Sequence, residues 1–110
     1  QVASTFLDVD LLAMPTTAKT GLTLSDQDDR TGRVDAAGVR AMTRFNFLGN
    51  LTGLPAGSVP VGLDAEGLPI GFQLVGDAWD EATVLAAMAE LERTGAARSP
   101  RCPHHLGLLD

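Results

Sequence analysis

The stretch that decides the fold is Gly53-Leu54-Pro55-Ala56-Gly57-Ser58-Val59-Pro60-Val61-Gly62, then Asp64-Ala65-Glu66-Gly67, then Leu68-Pro69-Ile70-Gly71-Phe72-Gln73-Leu74-Val75-Gly76. Two short apolar runs around a polar, Gly-containing turn predict a β-hairpin. Pro60 removes a ladder donor from the first run, which places that strand at a sheet edge or makes it irregular. Gly57, Gly62, Gly71 and Gly76 point to close backbone approach or special dihedral angles.

Downstream, the pattern predicts a helix over 80–94, with Val84, Leu85, Met88 and Leu91 on one face and Glu90, Glu92 and Arg93 mostly on the other. Asp77 or Asp80 can accept from its first free amides, Glu81 suits its positive end, and Gly95 is placed to stop it. Beyond it, 96–110 reads as an irregular tail. Upstream, 36–51 predicts a second helix with Val39, Met42, Phe45 or Phe47, and Leu48 as its apolar stripe, weakened by Gly38 and Gly49. Gly49 and Gly53 stand four apart, a spacing that in water marks close backbone packing.

Residues 6–13 are dense in apolar side chains and halt before Pro15, as a largely buried strand does. Asp8 and Asp10 would share one face of that strand, and strand-end acids more commonly face solvent than work as acid and base. Between Pro15 and about Asp35 periodicity is lost and polarity rises. A loop of that length is uncommon inside a compact domain and is usually functional or drapes over something else. A calcium loop is excluded there, because Arg30 takes the third ligand position after Asp26 and Asp28 and no Glu closes the set.

The 110 residues are 45% hydrophobic and 20% charged, the size and balance of one domain. A net charge of −6 leaves no basis for strong phosphate neutralisation, so nucleic acid is a poor partner. No apolar run approaches the ~18 to 20 residues that span a bilayer, and the start has no signal-peptide pattern. One cysteine, Cys102, excludes an internal disulfide framework and makes a reducing cytoplasm the expected compartment. The start at Gln1 suggests a chain cut from something longer.

Chemistry-bearing motifs are sparse. Cys102, His104 and His105 lack the pairing geometry of a metal site and a fourth ligand, so no metal or other cofactor is expected. Ser58 stands outside a Gly-x-Ser-x-Gly elbow and reads as a strand residue. No phosphate-cradling loop is present. Lys19, the only lysine, has no serine near it in sequence. Asn50-Leu51-Thr52 matches a glycosylation acceptor without any secretion signal to give it meaning.

The run Asn50-Leu51-Thr52-Gly53-Leu54-Pro55-Ala56-Gly57-Ser58-Val59-Pro60, then Gly67-Leu68-Pro69-Ile70-Gly71-Phe72-Gln73-Leu74-Val75-Gly76, then Glu81 opening a helix, closely resembles the C-terminal end of the amidase signature family. Val9-Asp10-Leu11-Leu12-Ala13-Met14-Pro15-Thr16-Thr17 is similar to that family's strand entering the substrate pocket. The likeness covers most of 6–92. It implies an α/β fold, a mixed β-sheet flanked by helices, to which this segment gives one strand, a β-hairpin and two main helices. It also implies hydrolysis of amides; some members serve as one component of the amidotransferase that forms glutaminyl-tRNA.

By the same resemblance, catalysis uses a lysine, a bridging serine and a nucleophilic serine in an N-terminal half that these residues do not match. Lys19 does not match the family's lysine. The chain is therefore expected to be inactive alone and to supply pocket wall for a small amide substrate through Pro15, Thr16, Asn46, Gly49 and Asn50. Thr43 stands where the glutamine-specific branch has an acid, which favours a general amidase. The partners expected are the missing catalytic portion and, through unpaired sheet edges, a second copy. The rival reading is a binding protein that kept the scaffold without the chemistry.

Overall fold

The computed structural model describes residues 2–22, 25–32 and 35–98. In chain order they form α1 (Val2–Thr5), β1 (Leu11–Pro15), α2 (Asp26–Thr31), α3 (Ala36–Thr43), α4 (Phe47–Thr52), β2 (Ala56–Leu63), β3 (Pro69–Gly76) and α5 (Glu81–Arg93). The strands make one antiparallel sheet in the order β1-β3-β2. The hairpin is present as read, and β1 lies on its far side, giving the expected α/β arrangement of one strand, a hairpin and flanking helices.

Pro60 behaves as its missing donor requires. β2 is an edge strand, and its register with β3 slips between Pro60 and Gly62. The turn beyond is held by Asp64, whose Oδ1 accepts from the amides of Glu66 at 2.9 Å and Leu68 at 2.8 Å. Thr20 donates its hydroxyl to Asp64 Oδ2, tying the segment after β1 to the hairpin tip.

Registry assigns the two faces. Leu74 and Val59 face α5, where Val84 is buried with them. Gly57 admits that helix: a Cβ there would lie 2.2 Å from Met88 Sδ. Val75, fully buried, and Gln73 face the other way, the side of the α3–α4 break and α4. Gln73 Nε2 reaches the carbonyl of Phe45 at 3.5 Å, and Gly49 of α4 lies against Ala56 of β2. α5 packs on one face, and the α3–α4 break and α4 touch the other.

Several expectations are corrected. The strand predicted over 6–13 starts at Leu11, because its partner β3 ends at Gly76, opposite Leu11. Residues 6–8 instead form a turn closing α1, with Leu7 strongly exposed, so Asp8 and Asp10 lie outside any strand. Part of the long loop is helical: Ser25 and Asp28 form a reciprocal capping box that starts α2. The helix predicted over 36–51 is two helices, broken at 44–46, where the amide of Asn46 donates to Thr43 O and Phe45 O faces Gln73. On α5, Leu85 is 63% exposed, so the buried stripe is narrower than the pattern indicated.

The caps of α5 are as expected in part. Asp80 Oδ1 accepts from the Thr83 amide, whereas the Asp77 side chain accepts from its neighbour Ala78 and the Asp77 carbonyl from the Asp80 amide. Gly95, at φ 73°, ends the helix. The tail over 99–110 lies outside the described residues. No helix among the described residues is long and apolar enough to cross a membrane.

This packing makes two measurable demands. Val75→Ala should cost about 2 kcal/mol in a urea titration, from the lost methyls and the cavity left behind, while Leu85→Ala should cost less than about 0.5 kcal/mol. The second concerns pH. The Thr20 hydroxyl, then the Leu68 amide, hold the Asp64 carboxyl below its ordinary value of 3.8. A depressed folded value gives stability that is present above that ordinary value and is lost as pH falls through the folded one. Amides of the 64–68 turn should therefore loosen only in acid, as read by hydrogen exchange, and Asp64→Asn should flatten that dependence.

Candidate functional site

The residues expected to line a pocket fall into two groups. Pro15 and Thr16 end β1, but successive residues of a strand point to opposite faces. Pro15 pairs with Phe72 on the α5 side, so only Thr16 shares the face of the α3–α4 break and α4. The Thr16 amide donates to Gly71 O at 2.9 Å, extending the ladder one residue beyond the strand.

Asn46 stands at the break between α3 and α4, half-buried, and its side chain makes no capping bond. Its backbone carbonyl accepts from Asn50, which is exposed one turn later. Gly49, between them, packs 3.5 Å from Ala56 when measured from the position of a Cβ. Thr16, Asn46 and Gly49 are therefore carried by elements on one side of the sheet, with Asn50 at the rim.

A contact that the linear reading missed joins Thr16 to Ser58. Their hydroxyl oxygens are 2.5 Å apart, although β1 and β2 are not neighbours and β3 runs between them. Gly71 makes this possible: a Cβ there would sit 2.7 Å from Thr16 Oγ1 and 3.4 Å from Ser58 Oγ. The absent side chain leaves a groove across the middle strand in which the two hydroxyls meet. The only advance signal was Gly71 inside a strand pattern, which marks close approach.

Two concavities lie near this face and at its edge. One, of about 450 Å³, is bounded by Ala18, Ala37 and Ala41 together with Arg40, Thr43, Arg44 and Phe47. The other, of about 300 Å³, lies between the 53–57 segment and α5, with Glu81, Leu85 and Met88 on its helical side. None of the five expected residues lines either. The larger begins one turn before Asn46, at the C-terminal half of α3. The Ala18 amide, donating to Ala41 O at 3.0 Å, fixes the segment after β1 against that helix.

Among the described residues no group of three or more His, Cys, Asp or Glu could hold a metal ion. Cys102, His104 and His105 lie outside the described residues.

The hydroxyl bridge yields a prediction. Gly71→Ala should cost about 1–3 kcal/mol by overpacking. Ser58→Ala should cost about 1 kcal/mol, the net value of one hydrogen bond. In a double-mutant cycle read by urea denaturation, Thr16→Val and Ser58→Ala should couple; strict additivity would contradict the bridge.

Comparison with known proteins gives a consistent result. The model of the family described as Amidase matches residues 1–85. Fatty acid amide hydrolase of Medicago truncatula is 43% identical over 88 residues, covering 80% of this chain and 14% of its own length. The protein of the same name from Arabidopsis thaliana is 44% identical over 87 residues, 79% of this chain and 14% of its own length. The A component of glutamyl-tRNA(Gln) amidotransferase from Cereibacter sphaeroides is 42% identical over 94 residues, 84% of this chain and 18% of its own length. The chain thus spans under a fifth of the length of these relatives, and it belongs to the amidase family.

Proposed function

We propose that this member of the amidase family is part of a hydrolase that cleaves carboxamide C–N bonds through an acyl-serine intermediate. In this reading the 110 residues provide pocket wall and scaffold, and the catalytic lysine and serines lie in a portion of a longer protein that they do not include. The observation that carries it is coverage. Relatives named for amide hydrolysis and for amidotransfer align along about four-fifths of this chain, yet it accounts for 14% and 18% of their lengths.

The chemistry of the residues supports the same division. A serine nucleophile needs a base within hydrogen-bond reach and donors aimed at the developing oxyanion. Ser58 spends its hydroxyl on Thr16, whose own amide is used by Gly71. A hydroxyl pair of that kind orients a substrate amide; it does not deprotonate a nucleophile. Thr16 and Asn46 are polar residues carried on one side of the sheet, and a few polar groups among apolar ones are what a small-molecule site requires. Thr43, in place of an acid, suits a general amide over glutamine. The outer edge of β1 has no strand partner among the described residues. The catalytic portion docks there in this reading, a second copy takes the edge in its absence, and the cytoplasm is the compartment.

The purified chain should release no ammonia from small aliphatic or aromatic amides above the uncatalysed rate. When the complete reading frame is expressed and trapped with an acylating inhibitor, the adduct should map by mass spectrometry to a serine outside these 110 residues. An adduct on Ser58, or turnover by the isolated chain, would overturn the proposal.

A further inference from the structure

The 450 Å³ concavity beside α3 has a chemistry of its own. Ala18, Ala37 and Ala41 line it, and Phe47, 64% exposed, lines it with them. Its polar border is Arg40, in the last turn of α3, and Arg44, the C-cap of that helix four residues on, with Thr43 between them. Like charges at that spacing repel. The sequence carries 14 acidic residues against 8 basic ones, yet neither arginine has a carboxylate partner among the described residues. Arg93, by contrast, pairs with Glu90 at 2.5 Å. Arg44 is set over the ring of Phe45, with its guanidinium carbon 5.8 Å from the centroid, and is thereby held at the border of the cavity.

We propose that this concavity binds the carboxylate of a small molecule with an aromatic or alkyl body. As a deepening of the amidase reading, on which this assignment rests, the substrate is an amide whose non-scissile end carries a free carboxylate. Two arginines one helical turn apart offer planar donors that suit a carboxylate, and their mutual repulsion is relieved on binding it. The alanines and Phe47 take the apolar body, which a bare inorganic anion lacks. The cavity volume lies in the range of small-molecule sites.

The test is an NMR titration of the isotopically labelled chain with N-benzoylglycine, its neutral counterpart N-benzoylglycinamide, and inorganic phosphate. The carboxylate should shift amides of Ala18 and of residues 37–47, and the neutral amide should bind about tenfold more weakly. Phosphate should also bind more weakly, for want of an apolar body. Arg40→Gln and Arg44→Gln should each weaken the carboxylate severalfold with the circular dichroism unchanged. Equal binding of acid and amide, equal binding of phosphate, shifts confined elsewhere, or no saturable shift would overturn the assignment. The comparison of probes on the unaltered chain keeps the test independent of how the variants fold. Because the readout is binding, it stands apart from hydrolysis. An acyl adduct outside these residues combined with equal binding of acid and amide would defeat the carboxylate assignment alone.

Discussion

The two hydrogen-bond ladders that converge on Pro69–Gly76 constrain everything else in this structure. β3 pairs with β1 along one side and β2 along the other, so its backbone groups are consumed in the sheet, and its C-terminal half, Gln73 to Gly76, is buried. Leu74 lies on the α5 face, and on the other Gln73 reaches the break between α3 and α4. Where β3 stops, β1 has nothing to pair with, and the chain before Leu11 turns away. Where it needs room, it carries glycine.

That middle strand also explains how residues far apart in sequence come to serve one face. Gly71 removes the side chain that would separate Thr16 from Ser58, and the side chain of Gln73 reaches the helix break that presents Asn46. The polar groups of the candidate site therefore rest on a rigid ladder, although two of them belong to loop and helix ends. Such placement suits binding, since positioned groups lose little freedom when a ligand arrives. The proposed role as pocket wall asks for placement of this kind.

Local signals were readable without the structure. The hairpin announces itself through two apolar runs and an Asp-Ala-Glu-Gly turn, and α5 through its periodicity, Asp80 and Gly95. What could not be read depended on distant partners. The start of β1 is set by the length of β3, and the break between α3 and α4 coincides with Gln73 reaching Phe45 from another element. The pairing of Thr16 with Ser58 follows from strand order, which no spacing in the sequence encodes. α2 is the exception, since Ser25 and Asp28 carried its capping signal in plain view. The five residues expected at a pocket rested on family resemblance alone, and the arginine-bordered cavity lay unnoticed because charge spacing on a helix says nothing about a neighbouring concavity.

β3 is the platform on which the site-bearing helices are laid. Native-state hydrogen exchange measures it most directly. The amides of Leu74 and Val75 should exchange only through global unfolding, while those of α3 and α4 open at lower cost without disturbing the sheet. If the α3 and α4 amides prove as protected as Val75, or if β3 opens first, the helices would be the scaffold and the account would be wrong.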